Sequence, residues 1–340
     1  MFKVGLTRDF LTPEGKLTYN DIGLRILEEA EGITYEFMKE YQSPVTADML
    51  KGYDAIISLA PSYNVDSFKD VHDLKAICRF GVGYDMVDMK ACSNANVIVT
   101  ITKGAVNYSV AEAVITLMLA LSHRVLEKNR LVRNGGWLQR SNYMGSELRG
   151  RTLGIVGIGG IGGRLVEMLK PFGMNQPLAF DPYADKTRTE AAGVKMTDLN
   201  YLMQHSDFLS INCPLTEETL NLIGTHELSL LKKEAYIINT ARGGIINEEA
   251  LIEVLKNNSI AGYATDVFGK EPPAENHPLF KFDNVILAPH CIAWTHDMFR
   301  EIGIKACRQV VDISQGKIPE DVVNTDIINK WNQTKLMVHK

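Results

Sequence analysis

The amino-acid sequence predicts an α/β protein with two doubly wound parallel-sheet domains and a cleft between them. Short apolar runs alternate with helical patterns along most of the 340 residues, and this alternation is typical of parallel strands covered by helices. A chain of this length is long enough for two domains of ordinary size, each with its own core. A hydrophobic fraction of 45% and a charged fraction of 23% are typical of a soluble globular protein.

The two predicted sheets come from separate groups of apolar runs. The larger sheet, after Arg151, has six predicted strands, "TLGIVG", "PLAFD", "DFLSIN", "AYIIN", "GYATDV" and "NVILAP". The smaller sheet has five earlier strands, "FKVGLT", "GITYEF", "DAIISL", "KAICRF" and "NVIVTI". The later helical pattern "MFREIGIKACRQVVDIS" precedes no further strand of the larger sheet, so we expect it to return to the first domain. The predicted domains are therefore residues 104–290, and residues 1–103 together with 291–340.

One long helix is predicted between the two groups of strands. In "NYSVAEAVITLMLALSHRVLEKNRLVRNGGW", Ser109 and Glu112 have the spacing of an N-terminal capping box, and Gly135 is suited to end a helix. The most apolar part, "AEAVITLMLALSHRV", has polar interruptions and is shorter than the roughly 20 residues that a bilayer span requires. We interpret it as a core or interface helix.

The clearest binding motif is "LGIVGIGGIGGRL", in which G-x-G-x-x-G lies between a predicted strand and a predicted helix. In this context the first glycine permits a tight turn, the second lets a pyrophosphate approach the backbone, and the third lets helix and strand pack closely. The motif predicts that the larger domain is a Rossmann dinucleotide-binding domain, with a plain glycine turn as the alternative. The residues expected at the cofactor are Gly157, Gly159, Gly160, Ile161 and Gly162.

An acidic residue, Asp181, ends the next predicted strand, "PLAFD", where a carboxylate can accept hydrogen bonds from a ribose. A 2'-phosphate beside this carboxylate would be repelled, and the first cations that follow are Lys186 and Arg188. The position therefore predicts NAD rather than NADP as the cofactor.

Four polar residues come at the ends of three successive predicted strands of the larger sheet. Arg242 follows "AYIIN", Asp266 and Glu271 lie at the end of "GYATDV", and His290 follows "NVILAP". Ligands of open α/β sheets bind at the carboxyl ends of the strands, so we expect these side chains on the same side as the glycine loop. A histidine after a strand is usually structural, but a carboxylate, a cation and a cofactor beside it favour a catalytic role.

These ordered motifs resemble those of the D-isomer-specific 2-hydroxyacid dehydrogenases over most of the chain. The motifs are "RFGVGYDMVD", "NYSVAEAV", "GIVGIGGIGG", "CPLTEET", "INTARGGIINEEAL", "DVFGKEPP" and "APHCIAWT". The resemblance implies Arg242 as a clamp on the substrate carboxylate and carbonyl, Glu271 as partner of the histidine, and His290 as proton donor or acceptor. It implies backbone hydrogen bonds to the substrate carboxylate from Val82 and Gly83. It places Asp266 near the nicotinamide, and the other residues expected to line the cofactor are Cys213, Pro214, Thr219, Thr240 and Ala241.

The chemistry of keto-acid reduction agrees with these residues. A hydride goes to carbon and a proton to oxygen, so the site needs a proton source beside the carbonyl. A histidine changes protonation near neutral pH, and a carboxylate partner would keep its acid form available. A planar guanidinium matches a carboxylate and polarises a carbonyl. The sequence therefore predicts an NAD-dependent D-2-hydroxyacid dehydrogenase, with an NAD-sensing corepressor-like protein and a formate or phosphite dehydrogenase as alternatives.

Several other residues are assigned ordinary structural roles. Glu248 and Glu249 are interpreted as first-turn helix charges. Cys291 is adjacent to His290 along the chain rather than arranged as a nucleophile with its base, so a thiol enzyme is not predicted. The segment "ISLAPSYNVDSF" has no Lys or Arg to meet a phosphate dianion, which predicts a substrate without phosphate. The remaining histidines are interpreted as surface or packing residues: His72, His123, His205, His226, His277 and His296.

Charge and cysteine usage narrow the partners and the compartment. A net charge of -5 and a pI near 5.9 give no clustered cations for nucleic acid or an anionic membrane. The start "MFKVGLTRDF" has no export leader, and five scattered cysteines without a C-x-x-C pair indicate reduced thiols and no metal site. We therefore expect a cytoplasmic protein whose partner is a small 2-keto or 2-hydroxy acid. The resemblance and the apolar helix together predict a homodimer.

Overall fold

The computed structural model describes residues 1–331 and divides the chain into two compact units. The first contains Met1–Val106 and residues from Trp294 onward, and the second contains Asn107–Ala293. Each unit has its own all-parallel sheet, and the two sheets confirm the predicted α/β fold class.

The first unit has a sheet of five strands: β1 Phe2–Leu6, β2 Ile33–Phe37, β3 Ala55–Ser58, β4 Ala76–Arg79 and β5 Ile98–Thr100. Their order across the sheet is β2-β1-β3-β4-β5. The side chains of Val4, Ile56 and Ile77 on the middle strands are fully buried, as expected for parallel strands covered on both faces. The helices of this unit are α1 Arg25–Glu28, α2 Ala47–Leu50, α3 Met89–Asn94 and α11 His296–Ser314, with 3-10 turns at Arg8–Phe10, Val65–Phe68 and Thr325–Ile327.

Helix α11 returns the chain to this first sheet. It begins after Thr295, whose hydroxyl accepts a hydrogen bond from the backbone N–H of Met298 over 3.0 Å. Its buried side chains recur three or four residues apart, which places them on one face of the helix. This face packs against β3 and β4 and includes Phe299, Ile302, Ala306, Val310 and Ile313.

The second unit has a sheet of seven strands: β6 Leu153–Val156, β7 Leu178–Phe180, β8 Lys195–Met196, β9 Phe208–Ile211, β10 Tyr236–Asn239, β11 Gly262–Thr265 and β12 Val285–Leu287. Their order is β12-β11-β10-β9-β6-β7-β8. The sequence predicts six of these strands and misses β8, because two residues give no apolar run. The helices are α4 Asn107–Ser122, α5 Val125–Arg133, α6 Gly160–Leu169, α7 Lys186–Ala191, α8 Leu199–His205, α9 Thr225–Ser229 and α10 Glu248–Lys256, with 3-10 turns at Trp137–Asn142, Lys170–Phe172, Gly243–Ile245 and Pro278–Lys281.

The long helix predicted from the sequence is two helices. Arg124 has a left-handed φ of +54° between α4 and α5, and the two axes are bent by 55°. The predicted capping box is wrong, because Ser109 lies inside the first turn of α4 instead of before it. The predicted stop agrees with the structure, since α5 ends at Arg133 and Gly135 has a φ of +73°.

Helix α4 is a core helix of its unit. It packs against α6, β10 and β11, and its buried side chains point in several directions, including Val114, Ile115, Leu117 and Met118. Within residues 1–331, no single helix is long and apolar enough to cross a membrane, and α4 with α5 meets that test only as a bent pair.

Candidate active site

The predicted cofactor loop lies where the strand order of the second sheet reverses. The chain winds from β6 to β7 and β8 on one side, and from β9 to β12 on the other. The loop joins the end of β6 to the start of α6 at Gly160. In open α/β sheets, ligands bind in the crevice outside the carboxyl ends of the strands at such a reversal.

The three motif glycines have the environments that a dinucleotide requires. Gly157 has a φ of +88°, and a Cβ there would lie 2.7 Å from the backbone nitrogen of Cys213. A Cβ on Gly162 would lie 2.8 Å from the carbonyl oxygen of Gly157, so helix and loop are in close contact. A Cβ on Gly159 would meet no atom within 4 Å. The first and third glycines therefore permit close packing, and the second leaves the open space that a pyrophosphate would need.

Helix α6 begins beside a residue that the sequence analysis missed. The side-chain amide of Asn107 lies against the Cα of Gly160, where a Cβ would overlap with it. Ile161 follows in the first turn of the helix. Asn107 is the first residue of α4, so the starts of α4 and α6 are in contact, and only the folded chain brings them together.

Asp181 lies at the end of β7, as predicted, and is held by the backbone on both sides. Its Oδ2 accepts a hydrogen bond from the N–H of Ile158 over 2.9 Å, and its Oδ1 accepts one from the N–H of Tyr183 over 2.9 Å. Ile158 belongs to the glycine loop. The carboxylate is therefore fixed beside the loop that would hold the phosphates, the place expected for a ribose partner.

The remaining residues predicted to line the cofactor follow β9 and β10. Burial raises the pKa of Cys213 to about 11, so its thiol is protonated at neutral pH. The hydroxyl of Thr219 donates to the carbonyl oxygen of Pro214 over 2.6 Å, which closes the loop after β9. The hydroxyl oxygen of Thr240 is buried and has no hydrogen-bond partner among the described residues. Buried polar atoms usually have a hydrogen-bond partner, and a bound cofactor would provide one for this hydroxyl.

Arg242 is positioned by a buried asparagine at the end of β10. The side chain of Asn239 is fully buried, and its amide donates to the carbonyl oxygen of Arg242 over 2.9 Å. Its Oδ1 accepts a hydrogen bond from the N–H of Ala241 over 3.0 Å. Sequence reasoning missed Asn239, although a polar residue that ends an apolar strand is a visible signal. The buried side chain of Asn239 therefore fixes the backbone of Ala241 and Arg242 after β10.

The predicted histidine and carboxylate are in direct contact. Nδ1 of His290 lies 2.7 Å from Oε2 of Glu271. The other oxygen of Glu271, Oε1, accepts a hydrogen bond from the N–H of Phe268 over 3.0 Å. The carboxylate thus orients the ring through Nδ1, which leaves Nε2 as the nitrogen that can face a substrate. The side chain of His290 is 47% exposed, so a ligand can reach it.

Asp266, which the resemblance places near the nicotinamide, follows β11 directly and has a buried side chain. It is only 5% exposed, and it accepts hydrogen bonds from the backbone N–H groups of Cys291 at 2.8 Å and Ile292 at 3.1 Å. Burial raises the pKa of Asp266, although these two hydrogen bonds and the nearby His290 act in the opposite direction. The carboxylate is therefore engaged with the chain that follows His290.

The two thiols near these residues are not activated. Burial and the neighbouring Asp266 carboxylate raise the pKa of Cys291, and the Cys213 thiol is protonated as well. A nucleophilic cysteine needs a lowered pKa. This agrees with the interpretation that the chain is not a thiol enzyme.

The predicted substrate-binding backbone belongs to the first unit. Val82 and Gly83 follow β4 and are half-buried. The turn before them is held by Gly81, which has a φ of +141° and whose carbonyl oxygen accepts a hydrogen bond from the N–H of Thr102 over 2.9 Å.

The residues of the second unit that a dinucleotide enzyme needs lie at one edge of its sheet. Residues 115–291 match the family model described as D-isomer specific 2-hydroxyacid dehydrogenase, NAD binding domain. The chain belongs to this family. The match confirms the predicted family and the predicted NAD cofactor, and it confirms membership of a family of NAD-dependent dehydrogenases.

Relatives and solved structures of this family extend the similarity over most of the chain. The chain is 36% identical to the D-3-phosphoglycerate dehydrogenase of Archaeoglobus fulgidus over 80% of its own length and 51% of that protein, so it spans about half of that relative. It is 35% identical to the glyoxylate reductase of Thermofilum pendens over 90% of its own length and 92% of that protein. A solved glyoxylate reductase from Paecilomyes thermophila has a TM-score of 0.80 at 25% identity and covers 95% of this chain and 98% of its own.

Proposed function

We propose that the protein interconverts a 2-keto acid and a D-2-hydroxy acid with NAD, and that His290 is its general acid and base. The observation that carries this proposal is the 2.7 Å contact between Nδ1 of His290 and Oε2 of Glu271. Both residues follow strands at the carboxyl edge of the sheet that holds the glycine loop. A histidine oriented by a carboxylate at this edge is suited to move a proton near neutral pH.

The reaction needs one hydride and one proton in each direction. NADH, which the glycine loop and Asp181 would hold, would supply the hydride to the carbonyl carbon. Nε2 of His290 donates a proton to the carbonyl oxygen as negative charge develops there, and Glu271 stabilises the imidazolium through Nδ1. In the reverse direction, Nε2 accepts the hydroxyl proton. A general acid of this kind contributes roughly 10²- to 10⁴-fold to the rate.

Arg242 is proposed as the clamp on the substrate. A guanidinium binds a carboxylate through two parallel hydrogen bonds and stabilises charge on a neighbouring carbonyl oxygen. The hydrogen bonds between the Asn239 side chain and the backbone of Ala241 and Arg242 fix the backbone from which this side chain extends. Backbone N–H groups of Val82 and Gly83 are proposed to bind the same substrate carboxylate.

The glycine loop and Asp181 are proposed to bind the pyrophosphate and the adenosine ribose of the cofactor. We propose that the pyrophosphate binds at Gly159, Gly160 and the first turn of α6, where free N–H groups and the helix dipole favour an anion. Asp181 is proposed to bind the adenosine ribose and to favour NAD over NADP. The residues proposed to line the rest of the cofactor are Gly157, Ile161, Gly162, Cys213, Pro214, Thr219, Thr240 and Ala241, with Asp266 near the nicotinamide.

The substrate is proposed to carry no phosphate. The segment after β3, "APSYNVDSF", has no Lys or Arg to bind a dianion. The relative from Thermofilum pendens, which this chain matches over 92% of that protein's length, is named a glyoxylate reductase. A small unphosphorylated 2-keto acid such as glyoxylate is therefore the proposed substrate class, in contrast to the phosphorylated substrate in the name of the Archaeoglobus fulgidus relative.

The paired His290 and Glu271 also favour the proposed enzyme over a binding protein and over a formate dehydrogenase. An NAD-sensing binding protein needs no proton donor oriented toward a substrate. Oxidation of formate releases no hydroxyl proton that a histidine and carboxylate pair would accept. Measurable turnover of a keto acid would separate the enzyme from a binding protein.

We also propose a homodimer located in the cytoplasm. Helix α4 does not support the predicted dimer, because most of its apolar side chains are buried within its own unit. Exposed apolar side chains lie instead in the segment that follows α4, at Val125, Leu126, Val132, Trp137, Leu138 and Met144. Several exposed apolar side chains within one segment are a feature that a protein interface would cover. The five cysteines are free, in keeping with a reducing compartment.

The test of the proposed function is a panel of 2-keto acids followed by NADH absorbance. The panel should contain glyoxylate, hydroxypyruvate, pyruvate, bulkier keto acids and 3-phosphohydroxypyruvate. We expect turnover of at least one unphosphorylated acid, with the D-hydroxy acid as product. A higher kcat/KM for 3-phosphohydroxypyruvate than for every other acid would contradict the proposed substrate class, and no turnover at all would contradict the enzyme.

A further inference from the structure

A second histidine and carboxylate are paired in the same unit as His290, outside the predicted site. Nε2 of His277 lies 3.1 Å from Oε1 of Glu248, and only 11% of the His277 side chain is exposed. His277, interpreted from the sequence as a surface or packing residue, therefore also has a carboxylate partner. The two residues are far apart along the chain, so the fold alone creates the pair.

The hydrogen bonds of the His277 ring indicate which nitrogen carries the proton in its neutral form. Nδ1 accepts a hydrogen bond from the N–H of Leu279 over 3.4 Å, at the start of the 3-10 turn Pro278–Lys281. A ring nitrogen that accepts a hydrogen bond carries no proton, so in the neutral ring Nε2 carries the proton and donates it to Glu248. Both nitrogens are therefore engaged, and the pair joins the segment after β11 to the first turn of α10.

The same ring touches the segment that holds Glu271. The ring of Phe268 packs edge-to-face on His277, with centroids 5.5 Å apart and an interplanar angle of 79°. The N–H of Phe268 donates to Oε1 of Glu271, whose Oε2 contacts His290. A continuous series of contacts therefore runs from Glu248 through His277 and Phe268 to the proposed acid and base.

The Glu271 segment also packs on the turn of Arg242. A Cβ on Gly243 would overlap the backbone of Phe268 and Gly269, so the absence of a side chain allows the two segments to touch. Helix α10 begins a few residues after Gly243 and carries Glu248. Residues 242–248 and residues 268–277 are thus connected twice, at Gly243 and at the contact between Glu248 and His277.

We propose that His277 is a positioning residue that, together with Glu248, keeps the Glu271 carboxylate against His290. The inference rests on the proposed function, because it gives His277 a part in maintaining the acid and base pair. No helix or strand lies between Thr265 and Pro278, so side-chain contacts hold the segment in place. Sites depend on such supporting contacts for their geometry.

The hydrogen bond between His290 and Glu271 provides the readout. Nδ1 of His290 lies 2.7 Å from Oε2 of Glu271, and Asp266 separately binds the two backbone N–H groups that follow His290. Loss of the His277 support should weaken the hydrogen bond between His290 and Glu271. A purely structural role for His277 would leave it unchanged.

The chain offers a matched pair of variants for the test. Glu248→Ala removes the partner of His277, and Glu249→Ala is its control. Both glutamates lie in the first turn of α10, so both replacements remove a similar interaction with the helix dipole. Glu248 contacts His277, whereas Glu249 is exposed. Two further variants are His277→Phe, which keeps a ring and removes both hydrogen bonds, and His277→Gln, which restores a donor toward Glu248.

The support contact should affect kcat more than NADH affinity. We expect Glu248→Ala and His277→Phe to lower kcat roughly 10- to 100-fold, the loss that a displacement of about 1 Å can cause. His277→Gln should recover part of the loss, and Glu249→Ala should behave as wild type. NADH affinity, measured by fluorescence titration, should stay within twofold of wild type, about 0.4 kcal/mol or less.

The outcome for the two glutamate variants decides the proposal. Equal kcat values in Glu248→Ala and Glu249→Ala would overturn it. The Nδ1 signal of His290 should also be compared by NMR in wild type and both variants, since that signal reports the hydrogen bond to Glu271 and its measurement needs no turnover. If wild type reduces no keto acid while the signal changes only in Glu248→Ala, the proposed function fails and the positioning role stands. If His277→Phe does not fold, the glutamate pair still gives the answer.

Discussion

Oδ1 of Asp266 accepts a hydrogen bond from the N–H of Cys291 over 2.8 Å, directly after His290. His290 has a φ of +55°, a left-handed conformation that costs a residue with a side chain about 1–2 kcal/mol. Contacts around such a residue must hold it in place, and strained residues of this kind cluster at functional sites. The buried carboxylate of Asp266 provides one of those contacts.

Asp266→Asn should change how stability depends on pH. Burial raises the pKa of Asp266, so the folded protein keeps this proton to higher pH than the unfolded chain does. The free energy of unfolding of wild type should therefore fall, relative to the variant, as pH rises from the ordinary value of 3.8 through the raised folded value. Urea denaturation of both proteins at several pH values measures this difference. If the free energy of unfolding of wild type relative to Asp266→Asn stays constant or rises with pH, the raised pKa of Asp266 is contradicted.

His290→Ala should lower kcat by roughly 10² to 10⁴, because the proton donor for the carbonyl oxygen is lost. NADH binding should be nearly unchanged, since the glycine loop is intact. The control is His226→Ala, which replaces an exposed histidine of α9 and should keep wild-type rates. Steady-state kinetics with the best keto acid provide the measurement, and near-native kcat in His290→Ala would remove it from the proposed role.

Asp181 should set the preference for NADH over NADPH. We expect wild type to prefer NADH at least roughly tenfold in kcat/KM, about 1.4 kcal/mol of transition-state binding. Asp181→Ala should shrink this preference because the carboxylate no longer repels the 2'-phosphate.

A second variant separates charge from structure at this position. Asp181 also accepts hydrogen bonds from Ile158 and Tyr183, so the alanine variant should lose affinity for both cofactors. Asp181→Asn keeps an acceptor and removes the charge, and it should retain more activity while it still narrows the preference. Equal use of both cofactors by wild type, or an unchanged preference in both variants, would contradict this role.

Leu138→Glu should weaken the proposed dimer. Leu138 is 90% exposed in the single chain, and a charge at a buried interface position would be desolvated at a cost. The control is Val65→Glu, which places the same charge at a 67% exposed apolar residue of the other unit. Sedimentation at micromolar concentration should show a dimer for wild type and for the control, with more monomer for Leu138→Glu. A wild-type protein that sediments only as a 37.9 kDa species would rule out the homodimer.

The sequence by itself determined the fold class, the family and the cofactor. These depend on local patterns: apolar runs of strand length, glycines whose backbone must turn or approach a phosphate, and an acidic residue at the end of a strand. The rule that carboxyl ends of parallel strands share one edge was enough to place Arg242, Glu271 and His290 together. The structure has these strands adjacent and in register, with Asn239 beside Thr265 and Thr265 beside Leu287.

Tertiary structure decided the contacts that hold these residues in position. The sequence could not show that Asp266 binds the chain after His290, that Asn239 fixes the Arg242 turn, or that His277 pairs with Glu248. It also missed β8 and the bend at Arg124. Each of these depends on partners distant in the chain or on the conformation of one residue, and neither leaves a periodic pattern. Hydrogen bonds act only over short distances in space, so the folded chain alone determines which polar groups become partners.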